Sequence, residues 1–182
     1  MLKSERLTYK SFESSDLADL FEIISDGSLT YPAGFKPVPD LKTCELSLQY
    51  RIASKQYVKL VSDNGELVGE INFYKDQSKR NPKAYEIGFI ISKKFHRKGY
   101  ATEALKTFIP YFNDHVEIDI LSAHVFVGNE ASVKTLEKIG FNKDGIIRHY
   151  KKMFDGKMLD AYEYSLTGDE IERNIKLWKE KY

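Results

Sequence analysis

Two hydrophobic periods alternate along the chain, one helical and one extended, and the points where they switch mark its elements. An extended run, Leu7 to Lys10, comes first. Ser14-Ser15-Asp16 then offers caps for a helix whose Leu17, Leu20, Phe21 and Ile24 share one face at i, i+3, i+4, i+7 spacing. Tyr31 to Pro39 holds three of the five prolines and reads as a loop, and a second helix is expected from about Leu41 to Ile52. Tyr57 to Ser62 and Leu67 to Tyr74 are strand-like and flank Asn64-Gly65, a hairpin signal because both positions tolerate positive φ.

Ala84 to Ser92 is nearly continuous in apolar residues, as a central strand would be. Gly99 to Asn113 reads as a helix with Ala101, Ala104, Leu105, Phe108 and Phe112 inward, and Pro110 is expected to kink or end it. Val116 to Val127 is a strand. Asn129 to Ile139 is a short helix stopped by Gly140. Phe141 to Met153 and Lys157 to Leu166 flank a second turn at Asp155-Gly156, before a polar helix over about 168–181 that carries Trp178. This order predicts a mixed sheet with helices on its faces, class α+β or α/β. No repeat, low-complexity tract or linker divides the chain, and its 182 residues suit a single domain over 1–182.

Composition narrows the function classes. The 28 Lys and Arg against 27 Asp and Glu leave a formal charge of +1. A dedicated binder of nucleic acid or of a membrane surface usually shows a global excess of positive charge, so neither partner is expected. The single cysteine, Cys44, has no internal partner and fits a reducing compartment. The first residues lack the apolar core of a signal peptide, and no run approaches the ~18 apolar residues of a membrane span. A cytoplasmic protein is the expectation.

Most site motifs are absent. There is no G-x-x-x-x-G-K-S/T, no G-x-G-x-x-G and no G-x-S-x-G. His96, His115, His124 and His149 show no ligand spacing, so no metal is expected. One segment stands out. Between Lys93 and Lys98 lie five basic-type side chains, and Gly99 then leads into a helix. A helix start offers unpaired N–H groups and partial positive charge to an anion, and a glycine there lets the ligand approach closely. Taken alone, the same segment also reads as a solvated basic loop.

Further motifs alter that balance. The run Tyr85-Glu86-Ile87-Gly88-Phe89-Ile90-Ile91, with Gly99-Tyr100-Ala101-Thr102-Glu103-Ala104-Leu105, Asn129-Glu130-Ala131-Ser132 and Leu136-Glu137-Lys138-Ile139-Gly140-Phe141, resembles the GNAT superfamily of acyl-CoA-dependent N-acetyltransferases. Within it the chain is most similar to the RimJ/RimL branch of ribosomal-protein N-terminal acetyltransferases, which the Asp155-Gly156 turn and Asp160-Ala161-Tyr162 also match. The resemblance spans roughly residues 5 to 167. It implies a three-layer α/β fold, with a mostly antiparallel sheet of about seven strands splayed between the fourth and fifth.

Site roles follow from the same resemblance. The family's cradle, Q/R-x-x-G-x-G/A, falls on His96 to Ala101. Backbone N–H groups of Arg97, Lys98, Gly99, Tyr100 and Ala101 would hold the coenzyme pyrophosphate, with Thr102 assisting. Ile91 would offer its backbone to the pantetheine arm and the thioester carbonyl. Asn129 would hydrogen-bond the coenzyme arm, and Ser132 would lie near the thioester sulfur. Two departures matter: His96 replaces Gln or Arg, and Leu136 stands where many members carry a proton-donating Tyr, leaving Ser132 or water for that task. An attacking amine must first lose a proton, and Glu86 is the candidate base; pairing within the fold is an equally good account of it. The implied reaction is acetyl transfer from acetyl-CoA to a primary amine, foremost a protein N-terminus. Small amines (polyamines, amino acids, antibiotics) and a non-catalytic acyl-CoA-binding module are the alternatives, and homodimers are common in the family.

Overall fold

The computed structural model describes residues 1–179, so the end of the expected C-terminal helix, residues 180–181, lies outside the described residues. The elements are β1 (Leu7–Lys10), α1 (Leu17–Ile24), α2 (Gly27–Thr30), α3 (Leu41–Ser54), β2 (Tyr57–Ser62), β3 (Leu67–Lys75) and β4 (Ala84–Ile91). They continue through α4 (Tyr100–His115), β5 (Ile120–Phe126), α5 (Glu130–Lys138), β6 (Asn142–Lys152), β7 (Met158–Thr167) and α6 (Gly168–Lys179). The strands form one seven-stranded sheet in the order β1-β2-β3-β4-β5-β7-β6. Every pairing is antiparallel except β4 with β5. That one is short: Ala84 opposes Ile120, Tyr85 opposes Leu121, Glu86 opposes Ser122, and then the strands part.

Alternation along the strands builds a core on each face. Ile87 and Ile91 of β4 join Leu105, Phe108, Ile109 and Phe112 of α4, Leu136 of α5 and Ile171 and Trp178 of α6. Ile90 instead joins Leu20, Ile23 and Ile24 of α1 and Cys44 and Leu48 of α3. Glu86, in phase with Ile90, therefore belongs to the face turned away from α4.

Ion pairs fix the α1–α3 layer to the sheet. Arg51 of α3 reaches Glu70 of β3 through two hydrogen bonds, 2.7 and 2.8 Å, with both side chains under a tenth exposed. Lys59 of β2 holds Asp16, at the start of α1, at 2.7 Å.

Three expectations are corrected, and one element, α2, was not expected. α4 runs through Pro110 to His115, because buried Phe108, Ile109 and Phe112 hold the turns on either side of the missing N–H. β5 begins at Ile120 rather than Val116, since the Val116 N–H still caps α4 and the Asp119 N–H bonds the Lys83 carbonyl. Only Gly65 of the first hairpin turn is left-handed, at φ 81°, and Asn64 is not. The short α2, capped by the Asp26 side chain, has too few residues to show a period.

The Arg51–Glu70 pair generates a stability prediction. Glu70→Ala strands a buried guanidinium and should cost about 3–5 kcal/mol in urea denaturation. Replacing both partners with Met and Leu should recover most of that loss.

Candidate active site

The loop from β4 to α4 curls into a concave nest. Arg97 and Gly99 both adopt left-handed backbone, at φ 59° and 82°, on either side of Lys98. Gly99 is the N-cap of α4 and no side chain caps the helix. The first intrahelical bond is Glu103 N–H to the Gly99 carbonyl, so the N–H groups of Gly99, Tyr100, Ala101 and Thr102 precede the ladder and are available to an anion. The structure thus leaves the N–H groups of residues 99–102 together at the start of α4, directly after Lys98 and the left-handed Arg97.

Arg6 stands over this array, and local sequence gave no sign of it. Its guanidinium donates to the Lys98 carbonyl at 3.0 Å and to Glu103 at 2.7 Å, and it stacks 4.2 Å from the centre of the Tyr100 ring. One of its nitrogens lies 3.6 Å from where a Gly99 Cβ would sit. Glu103, whose charge would oppose an anion at a helix start, is neutralised by Arg6 and also accepts from the Arg6 N–H and the Ser4 hydroxyl.

Where β4 and β5 separate, backbone groups are left for a ligand. The Ser92 N–H bonds Val68 of β3, so by antiparallel alternation the N–H and carbonyl of Ile91 face the opposite way, into the gap beside β5. His96 closes one of these groups, its Nε2 lying 2.9 Å from the Ile91 carbonyl. The Ile91 N–H remains directed at the gap.

Across the gap, α5 begins. Asn129 is its N-cap, accepting from the Ser132 N–H at 3.3 Å and donating to the Pro32 carbonyl at 3.2 Å. Both ends of this amide are therefore engaged in tying the Pro-rich loop to the start of α5. Ser132 sits on the first turn of α5, and Leu136 is fully buried in the core against α4.

Glu86 lies on the open face next to the parting point. Its carboxylate is 3.0 Å from Nδ1 of His124 on β5, with the two side chains 16% and 4% exposed. Tyr150 of β6 stacks on His124 at 4.7 Å and 20°. A bulge puts it there: between the pairs Ile147–Ala161 and Lys151–Leu159, β6 carries extra residues, with His149 left-handed at φ 53° and its N–H held by Asp160 at 2.7 Å. Tyr74, opposite Glu86 in the β3–β4 register, completes the surround.

Charges on this face are anionic. Asp76 accepts from Ser122 and Ser78, and Glu163 from Lys79. Burial works against the Asp76 charge, but the two serine hydroxyls hold its carboxyl below the usual range. Burial pushes the Tyr150 phenol up to about 12 and the Tyr74 phenol higher still, with Glu86 adding to both, so each stays protonated near neutrality. His124 is raised: burial opposes its charge, but the hydrogen bond and charge of Glu86, helped by Glu163 and Asp76, outweigh burial. Its Nε2 is buried with no hydrogen-bond partner. Among the described residues no group of three or more His, Cys, Asp or Glu is arranged to hold a metal ion.

A parted parallel pair in an otherwise antiparallel sheet, with a bare helix start beside the gap, defines the class of fold. Comparison with known proteins gives the class its family. The sequence profile of the acetyltransferase (GNAT) domain matches residues 6–142. An uncharacterized N-acetyltransferase, p20 of Bacillus licheniformis, is 29% identical over 178 residues, covering 93% of this chain and 97% of its own. A GNAT acetyltransferase from Bacillus anthracis superposes with a TM-score of 0.82 at 24% identity, covering 93% of this chain and 99% of that one. The ribosomal-protein-S5-alanine acetyltransferase of Vibrio fischeri superposes at 0.74 and 19% identity, covering 92% and 96%. The chain belongs to the GNAT acetyltransferase family and is an N-acetyltransferase.

Two predictions follow from this geometry. Gly99→Ala forces a Cβ into left-handed backbone and should cost about 1 kcal/mol of stability. Gly99→Asp adds a carboxylate that competes for the nest and Arg6, and should abolish the thermal shift given by coenzyme A. Secondly, because the folded His124 value is raised, its stabilising contribution is full below about pH 6.5 and is lost as pH rises through that folded value. Urea denaturation from about pH 5 to 9 should show this slope in the wild type and not in His124→Asn.

Proposed function

We propose that the enzyme transfers the acetyl group of acetyl-CoA directly to a primary amine, within a single acetyltransferase domain over residues 1–182. The observation that carries the reading is the alignment of three features along one gap: the N–H nest at 99–102, the Ile91 N–H, and the Glu86 carboxylate. The nest and Arg6 bind the pyrophosphate, with Lys98 and Thr102 at its margin. The pantetheine arm runs between β4 and β5 as a substitute strand. The Ile91 N–H then donates to the thioester oxygen as charge builds there, a preorganised donor of the kind that supplies a large catalytic term. Asn129 acts by anchoring the loop that roofs the arm rather than by reaching the arm through its own amide.

The amine arrives on the Glu86 face as an ammonium drawn by the carboxylates. Glu86 takes one proton, the free amine attacks the thioester carbon, and the C–S bond breaks. The second amine proton leaves with the thiolate, for which Ser132 or water is the donor in the absence of a Tyr at position 136. A thiol of pKa near 8.5 needs only modest help to leave.

A peptide N-terminus is the acceptor class we favour. An α-amine, pKa about 8, is far easier to deprotonate than a lysine-type amine near 10.4. A groove of about 450 Å³ between the Pro-rich loop and the β6–β7 tip, lined by Phe35, Lys36, Lys151, Lys152 and Phe154, leaves room for chain beyond the amine. Contacts link this groove to Glu86, because Phe126 abuts Gly34 and Tyr150, and Tyr150 abuts His124. The fold neighbour from Vibrio fischeri, named for a ribosomal-protein alanine, is of the same acceptor class.

The test is thiol release from acetyl-CoA over a panel of short peptides with free α-amines, spermidine and single amino acids. Peptides should be the best acceptors, and turnover confined to spermidine would overturn the acceptor class. Glu86→Gln should lower kcat by about 10²- to 10⁴-fold with the KM for acetyl-CoA unchanged.

A further inference from the structure

His124 was not among the residues the motifs singled out, yet it is buried beside Glu86. Its ring is clamped between the sheet and Tyr150, and Nδ1 is committed to Glu86 at 3.0 Å. The other nitrogen is buried without a partner. Buried side-chain polar atoms in folded proteins are for the most part hydrogen-bonded, so this uncommitted nitrogen calls for an account. Here one nitrogen is fixed and the other is uncommitted, so the ring can gain or lose a proton at Nε2 without releasing Glu86.

The surroundings make that proton consequential. From β3 and its end, Tyr74 and Asp76 face the ring; from β4, Glu86; from β6, Tyr150; from β7, Glu163 with its partner Lys79. Asp76 is held by hydroxyls and Glu163 by a lysine. Glu86 is the carboxylate of the three whose ionic partner is an imidazole, a group that can exchange its own proton.

We propose that His124 is a positioning residue for acetyl transfer, holding Glu86 through Nδ1 and setting, by the proton on Nε2, the net charge that the pair presents to the amine. With that proton on, the pair is neutral and draws an ammonium weakly. With it off, the pair carries one negative charge, captures the ammonium and receives its proton on Glu86. That proton passes to water after the amide has formed and the thiol has left, so the cycle closes. Acetyl transfer therefore speeds up as His124 loses its Nε2 proton. This inference rests on Glu86 as base but not on which amine is used.

Two measurements test it. Ring-nitrogen NMR on the intact protein follows the His124 titration in the wild type and in Glu86→Gln. The His124 titration should move to lower pH in Glu86→Gln, and an unmoved titration would break the pair. Rate–pH profiles are then taken with the best acceptor of the panel. Wild-type kcat/KM should rise through an inflection at the pH where His124 titrates by NMR. His124→Asn keeps a donor where Nδ1 was but cannot titrate; it should lose that inflection while retaining the acetyl-CoA thermal shift and KM. His124→Phe keeps the stack on Tyr150 without any donor, and should lose at least about tenfold in kcat. A His124→Asn enzyme with the wild-type inflection overturns the proposal and leaves the base assignment standing, provided Glu86→Gln is impaired. A fully active Glu86→Gln removes the base and this proposal together.

Discussion

A strand that leaves its neighbour must give its backbone N–H and carbonyl groups somewhere else to go. In this sheet β4 and β5 stay paired for three residues and then diverge, and the rest of the molecule is organised around that unmet demand. The two halves of the sheet are joined by one short ladder and by the α4 core, which packs beneath both. Past the ladder, a ligand that offers amide groups of its own is the natural third strand. The helix start that we propose for the ligand's phosphates lies one loop beyond the end of β4, so the slot and its anion-binding end adjoin the same parting.

Charge is sorted along the slot. Basic side chains and bare N–H groups gather at the α4 end, while Asp76, Glu86 and Glu163 gather around His124, on the face proposed for the amine. The whole chain nonetheless sums to +1. A near-neutral sum therefore coexists with a field that orients an anionic donor and a cationic acceptor toward opposite ends of the reaction coordinate.

Most of the fold was legible because its signals are local. Period-two runs, the Asn64-Gly65 and Asp155-Gly156 turns and the Gly140 stop each depend on a few adjacent residues. The nest was legible for the same reason, since Arg97 to Thr102 are consecutive and glycine marks the left-handed position. Arg6 and His124 were not. Arg6 meets Glu103 across 97 residues, and His124 meets Glu86 across 38, through sheet order and register that no single stretch of sequence encodes. Pro110 misled because packing on both sides outweighs one lost hydrogen bond. The tie from the Asn129 amide to the Pro32 carbonyl was equally hidden, since that carbonyl comes from a distant loop.

The β6 bulge has a consequence for how the chain behaves among its own copies. β6 is one of the two edge strands of the sheet, eleven residues long and largely exposed, and an unbroken edge of that length is a template for adding strands from other molecules. The extra residues around His149 interrupt its ladder, and Lys143, Arg148, Lys151 and Lys152 charge it. The irregularity that lays Tyr150 over His124 is thus also a guard against edge-to-edge aggregation. Straightening β6 to a regular ladder would turn Tyr150 away from the acceptor face and open the sheet to self-association in a single change.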